Sequence, residues 1–313
     1  MKRKVIKQGH NTLTITLPKK WCNKFNVKGG DELDLQERGT GLLVNTETII
    51  NLDKIEIDVS CLDRSSILYY IRNCYRRGFD EIVVRFDNQK TKYYRTGEDI
   101  NVISIIHKEV SRLVGMEIVE EKKGSCVIKE LSVPQIKEFD DILRRIFLLL
   151  TNTSNDLFEG LKNLDTSLIK SVEEKHDTIT KFISYCLRLL NKWGYYDYKK
   201  TSVLYYIVAS LDKVADVLKY CCRDSIDLKD KLKKETISLL ELINKNIYLY
   251  YELYYKFDLK KVVEFSKNRD LIKKNIKALP KKCSEKEILL LNNMEHSLEI
   301  LMDLIEARMG LEI

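Results

Sequence analysis

Two acidic pairs carry the first recognisable chemistry of this chain. Glu173 and Asp177, and Asp212 and Asp216, each stand four residues apart in stretches of helical period. That spacing puts two carboxylates on one helix face, one turn apart, where they repel unless a cation lies between them. Two such pairs on neighbouring helices make a four-carboxylate set suited to a hard or borderline cation. The pattern recurs downstream as Asp270, Glu299 and Asp303. There Ser266 stands where Glu173 would repeat, and His296 precedes Glu299 by three residues. A solvated or lysine-paired face is the other reading of such acids.

The second constellation is basic. Residues 1–28 hold eight Lys or Arg (Lys2, Arg3, Lys4, Lys7, Lys19, Lys20, Lys24 and Lys28) and no Asp or Glu. The whole chain carries +7, so the remainder carries −1. A positive charge confined to one end is the footprint expected of a nucleic-acid-binding face. Arg3, Lys4, Lys7, Lys19, Lys20 and Lys24 are the candidate phosphate contacts. Asn11 and Thr12, in a turn, are candidates to reach a base edge or a phosphate.

The elements that position these groups divide the 313 residues in two. Nine of the twelve glycines lie before residue 125, so the first part is rich in turns and the rest is helical. No run of eighteen apolar residues exists, so no membrane insertion is expected. Met-Lys-Arg-Lys leads into an alternating strand rather than the apolar core of a signal peptide. Eight scattered cysteines, none in a Cys-x-x-Cys pair, fit reduced thiols in a cytoplasmic protein.

In the first segment the spacing predicts strands over 4–8 and 12–17, a helix over 18–25 begun by Pro18, and strands around Leu33–Leu35 and Leu42–Val44. The Gly29-Gly30 pair is expected to close the helix in the left-handed region. About 45 residues are near the lower limit for a self-sufficient core, so a second copy is expected to cover the apolar stripe. This order, with Leu-Pro-Lys-Lys-Trp21 and Lys28-Gly-Gly-Asp-Glu-Leu-Asp-Leu35, resembles the SpoVT/AbrB swapped-hairpin DNA-binding domain over residues 3–46. The resemblance implies a homodimer in which two chains interleave hairpins into one small barrel, with basic side chains on DNA phosphates.

The middle segment reads as α/β: strands at 54–59 and 81–85, a helix from Asp63, a helix over 99–114, and a hairpin over 117–119 and 125–128. It holds no phosphate-cradling glycine motif and no catalytic set. Arg72, Arg76 and Arg77 with Tyr69, Tyr70 and Tyr75 read as a solvated face over a tyrosine-bearing core, with a nucleic-acid contact as the alternative.

From Pro134 onward six helices are predicted, over 134–162, 167–191, 200–223, 227–256, 258–278 and 284–309. They repeat internally. Asp165, Asp177 and Ile179 match Asp258, Asp270 and Ile272 at an offset of 93; Asp212-Lys-Val-Ala-Asp216 falls on Glu299-Ile-Leu-Met-Asp303 at 87. Two tandem three-helix bundles follow, about 134–223 and 227–309. Tyr248, Tyr250, Tyr251, Tyr254 and Tyr255 read mostly as bundle-seam packing. The tandem bundles with their acidic motifs resemble PhoU, the phosphate-transport regulator, over about 135–309, although the Arg-x-Gly middle of that family's motif is missing here. The resemblance implies multinuclear clusters of iron, zinc or another divalent metal held by the acids above.

The expected fold is therefore a multidomain α+β chain. Residues 1–48 form the swapped-hairpin domain, 49–132 a small α/β connector, and 133–313 the PhoU-like helical half. The combination resembles the archaeal phosphate-uptake-regulator type and implies a DNA-binding transcription regulator. The alternative is a protein-binding adaptor of a phosphate transporter or signalling kinase, in which the barrel only dimerises. An enzyme is not expected. Glu173 and His176 meet the Glu-x-x-His spacing of di-iron sites once, Asn293 breaks it before His296, and no nucleophile–His set is present.

Overall fold

A computed structural model describes residues 1–38, 41–46, 53–132, 135–228, 230–279 and 283–313. The expected boundaries after 48 and 132, the turn residues Gly39 and Thr40, and the turn at Pro280 lie outside them. The chain forms two compact units, residues 1–52 and 53–313.

The first unit is small and open. Strands β1 (Ile6–Gln8) and β2 (Thr12–Thr14) form a hairpin in the register Ile6↔Thr14 to Gln8↔Thr12. Gly9 takes φ 72° in its turn, a conformation natural to glycine. Helix α1 (Lys19–Lys24) follows, with Pro18 as its N-cap. It ends on Asn26 at φ 53°, with the Val27 N–H donating to the Cys22 carbonyl at 2.9 Å. This is the six-to-one bond of a Schellman cap, so the left-handed residue is Asn26 and not the glycine pair. Asparagine tolerates that region because its short polar side chain bonds locally. Gly30, at φ 96°, serves the next turn, where Asp31 accepts from the Lys28 N–H at 2.8 Å. Strands β3 (Leu33–Arg38) and β4 (Gly41–Thr46) close a second hairpin.

The two hairpins are separate two-stranded sheets, and no closed barrel exists among the described residues of one chain. The expected second strand stops at Thr14, three residues short of Leu17. Trp21 packs on Phe25 at 5.5 Å between ring centroids, yet no described residue of this unit is fully buried.

The second unit begins with an α/β layer. Strand β5 (Lys54–Asp58) runs parallel to β6 (Glu81–Arg85) through helix α2 (Arg64–Arg76), whose N-cap Asp63 accepts from the Ser65 and Ser66 N–H groups. A small hairpin, β7 (Lys90–Tyr93) and β8 (Glu98–Asn101), precedes helix α3 (Val102–Val110). The start of the helix expected over 99–114 is thus strand. Strands β9 (Met116–Lys122) and β10 (Ser125–Glu130) complete an antiparallel hairpin, giving the order β5-β6-β10-β9. Ile57, Ile82, Val84, Cys126 and Ile128 bury one face together with Ile67, Ile71 and Ile106 of the helices.

The helical half consists of α4 (Phe139–Asn163), α5 (Thr166–Trp193), α6 (Thr201–Ser225), α7 (Lys234–Tyr255), α8 (Leu259–Lys277) and α9 (Glu285–Gly310). Helices α4–α6 pack on one another, as do α7–α9, and the two sets meet through α4 against α7 and α6 against α9. The internal repeat is visible in detail: Asp165 and Asp258 are both side-chain N-caps, and Ile179 and Ile272 are both fully buried. A Cβ on Gly160 would fall 2.8 Å from the Ile169 side chain, so glycine sets the close approach of α4 and α5. Phe147 sits among Tyr250, Tyr251, Tyr254 and Tyr255 with centroids 4.6–6.1 Å away, so these tyrosines do line the α4–α7 seam. Tyr248 and Tyr255 remain half exposed at its edge. No helix among the described residues is long and apolar enough to cross a membrane.

Candidate nucleic-acid interface and the carboxylate seam

The basic groups of the first unit stand where an anionic partner can reach them. Arg3 and Lys4 precede β1, Lys7 lies within it, Asn11 and Thr12 form the turn and the start of β2, and all five are exposed. Lys19 and Lys20 open α1 and Lys24 ends it, also exposed, with the Lys24 ammonium 5.1 Å from the Phe25 ring centre. None of these cations makes an ion pair with a described residue, so their charge is uncompensated. The same unit exposes Val5, Ile6, Leu13, Ile15, Leu35 and Leu42 at between 51 and 70 % of their surface. Fully burying one such side chain contributes about 1.5–3 kcal/mol, so a matching apolar surface laid over six of them would stabilise this unit substantially.

The acids of the second unit occupy a different environment. Glu173 accepts from the Arg223 guanidinium, with Nε at 2.9 Å. Asp177 is paired with Arg112, which follows α3. Asp212 accepts from Arg76 of α2 at 2.9 Å and from the Thr180 hydroxyl at 3.2 Å. Asp216 is bonded to Lys219 and lies 3.0 Å from the His176 Nε2. Burial alone would raise the Asp216 carboxyl, but the bonds from His176 and Lys219 outweigh it and hold it at about 2. Asp177 is likewise lowered against its burial by His176 and Arg112. Burial would lower the His176 imidazole, yet the bonds to Asp177 and Asp216 raise it.

The donor set therefore does not fit a metal ion as folded. Each carboxylate of the first bundle already faces its own fixed cation, and no group of three or more His, Cys, Asp or Glu among the described residues is arranged as a cage. In the second bundle Asp270 is exposed beside Arg269, Glu299 pairs with Lys273 at 3.0 Å, and Asp303 and His296 face solvent. Arg72 and Arg76 of α2 are not on a solvated face, while Arg77, its C-cap, is exposed as expected. Arg72 makes a two-pronged bond to Glu109 at 2.7 and 2.9 Å, Arg76 joins Asp212 and Ser184, and Arg77 lies over the Phe79 ring. Tyr69 and Tyr70 are exposed, whereas Tyr75 is fully buried.

Sequence reasoning missed the cationic half of this seam and its most buried member. Arg188 has no exposed surface. It donates to the Tyr75 and Phe79 carbonyls at 2.8 and 2.9 Å, to Glu130 at 2.8 and 3.1 Å, and to Asp80 at 3.3 Å. Lys192 bonds the same two acids. All five guanidinium N–H groups thus have acceptors, and α5 is bolted to the α/β layer. Only the i, i+4 spacing of Arg188 and Lys192 hinted at a shared face; their acids lie far away in sequence.

The features define a multidomain chain: a small, basic two-hairpin unit, then a unit made of an α/β layer and a helical half. Residues 6–45 match the family model described as antidote-toxin recognition MazE, bacterial antitoxin. The first unit is thus similar to AbrB/MazE-type domains, in agreement with the resemblance read from the sequence. No curated protein and no solved structure matches the chain.

Proposed function

We propose that this protein is a homodimeric DNA-binding regulator. One observation carries the reading: the exposed, unpaired cations of residues 1–28 sit on a unit whose described part buries no residue by itself. AbrB/MazE-type domains dimerise and bind DNA, which supports pairing of two such units through their exposed aliphatics. Dimerisation places two sets of lysines on one duplex and gives backbone affinity; Asn11 and Thr12 are the side chains offered to base edges or phosphates.

The finer reading is a regulator of phosphate uptake. It rests on the likeness of the tandem three-helix bundles to PhoU, and the helical half then receives a signal from a partner protein. No metal step belongs to this proposal, because arginines and lysines hold the acids. In the adaptor reading the first unit only dimerises; the ion pairs and hydrogen bonds that tie the α/β layer to α5 and α6 give that reading a rigid body for a partner to dock on.

The deciding experiment is DNA binding by full-length protein over a salt series, beside a Lys19→Glu/Lys20→Glu variant, with mass by light scattering. Salt-sensitive binding weakened in a still-dimeric variant supports the regulator. Absence of DNA binding by the wild type at low salt leaves the adaptor.

A further inference from the structure

Helix α8 is the least buried of the six long helices, enclosing only Phe265 and Ile272. Its seven Lys and Arg residues fall into two sets. Lys261, Arg269 and Lys273 are partly buried and pair with Glu252, Asp270, Glu295 and Glu299. Lys260, Lys267, Lys274 and Lys277 are exposed, and none pairs with a described residue. Successive positions at three- and four-residue spacing put these lysines on one face with Leu259, Val263 and Leu271. Those three aliphatics are 60, 54 and 49 % exposed. Glu264 is the one acid of that face without a partner of its own, since Asp270 is taken by Arg269.

The internal repeat tells what this face corresponds to. At the offset of 93, Asp270 falls on Asp177 and Lys277 on Ser184. In the first repeat, Asp177 receives Arg112 and Ser184 receives Arg76, so the α/β layer covers the C-terminal part of the equivalent side of α5, while Ser167, Lys170 and Glu174 before it are exposed. In the second repeat nothing among the described residues covers it. The chemistry also differs. Where α5 carries Thr166, Lys170 and Thr178, α8 carries Leu259, Val263 and Leu271. Where α5 carries Ser167, Glu174 and Ser184, α8 carries Lys260, Lys267 and Lys277, while Asp270 keeps the acid of Asp177.

We propose that the outer face of α8 is a docking surface for an acidic polypeptide segment of a partner protein, one that brings aliphatic side chains on the same face as its carboxylates. Charge complementarity selects the acid, and the three exposed aliphatics select a protein over a bare polyanion. A second copy of the same face would set lysine against lysine. An interfacial membrane helix needs a broad continuous apolar face, whereas here lysines interleave the aliphatics. The 19-residue helix is about 28 Å long, room for about five turns of a partner helix. This inference stands independently of DNA binding by the first unit.

The test uses the full chain, a Lys260→Glu/Lys267→Glu/Lys274→Glu variant and a Val263→Ser/Leu271→Ser variant, each checked for an unchanged thermal melt. The probes are a labelled helical peptide with Glu and Leu on one face, a labelled DNA duplex, and phosphatidylglycerol vesicles. The expected result is peptide binding weakened at least tenfold by charge reversal and at least threefold by the serines, with DNA affinity unchanged. Equal peptide affinity in all three proteins, or no binding by the wild type, overturns the proposal. So does a loss that appears in the DNA or vesicle arm instead. A failure of the DNA-binding reading would show as no duplex binding by any protein, while the peptide arm still reports on α8.

Discussion

The Arg76 guanidinium donates to the Asp212 carboxylate at 2.9 Å and to the Ser184 hydroxyl at 3.1 Å, tying α2 of the α/β layer to α5 and α6 at once. With Arg112 on Asp177, it puts cations of one layer on the acids of another. The acidic pairs thus serve as sockets for arginine and lysine, whose charges offset the repulsion within each pair.

Removal of that socket has a measurable cost. Arg76→Ala leaves Asp212, 18 % exposed, with only the Thr180 hydroxyl as donor. Losing a charge-assisted bond at such a site costs about 2 kcal/mol. Urea unfolding of the two single variants and of Arg76→Ala/Asp212→Ala should give a coupling near that value. A coupling close to zero would mean the pair is solvated. Prolonged dialysis against a chelator should leave the melting midpoint of the wild type unchanged; a drop of several degrees would place a metal among these acids.

Arg188 is the harsher case. Arg188→Ala strands Asp80 and Glu130, 4 and 6 % exposed, with Lys192 alone to compensate them. Breaking a buried charge network costs about 3–5 kcal/mol. The Tyr75 and Phe79 carbonyls, which accept from the Arg188 guanidinium, lose that donor as well. Hydrogen exchange should rise in α2 and in the last turns of α5, and the loss should exceed that of Arg76→Ala. A smaller loss would contradict its place at the centre of the joint.

How much of this was legible is clearest at the helices. Both ends of α5, α6, α8 and α9 and the C-terminal end of α4 fall within two residues of expectation, because a long 3.6-residue period is a strong signal, whereas α4 begins five residues late at Phe139. Helix α7 starts at Lys234, seven residues late. Its first turn is held by Glu287 of α9, which accepts from the Lys233 N–H and the Thr236 hydroxyl, a tertiary cap with no local mark. The β7–β8 hairpin escaped notice because Lys90–Tyr93 and Glu98–Asn101 offer little apolar alternation. The candidate acids were found as a pattern, but the arginines on Glu173, Asp177 and Asp212 lie 50 to 136 residues away, and charge spacing along one helix says nothing about them; only Lys219, three residues after Asp216, was within reach of such a reading.

His176 gives the seam a pH dependence. It faces Asp177 on its own helix and Asp216 and Lys219 on α6. Its folded pKa is raised above 6.5, so its contribution is present in full below pH 6.5 and fades as pH rises through the folded value. Asp216 behaves oppositely: its contribution is present above 3.8 and fades as pH falls through about 2. The stability difference between wild type and His176→Gln should therefore be largest near pH 5–6 and shrink toward pH 9, read by urea midpoints. A difference that grows with pH would reverse the assignment.

The last prediction concerns the basic unit. If about six phosphates are neutralised per bound unit, log affinity against log salt has a slope of about −5, since each contact contributes about 0.9. Lys19 and Lys20 lead α1 side by side, exposed and unpaired, so both are counted among those contacts. Lys19→Ala/Lys20→Ala should flatten the slope by about 2 and weaken binding at low salt on every sequence alike. Asn11→Ala should leave the slope unchanged and narrow the gap between preferred and random duplexes, because an amide at a base edge releases no counterion. An unchanged slope in the double alanine variant, with the protein still dimeric by light scattering, would remove the α1 lysines from the interface and move the search to Arg3, Lys4 and Lys7.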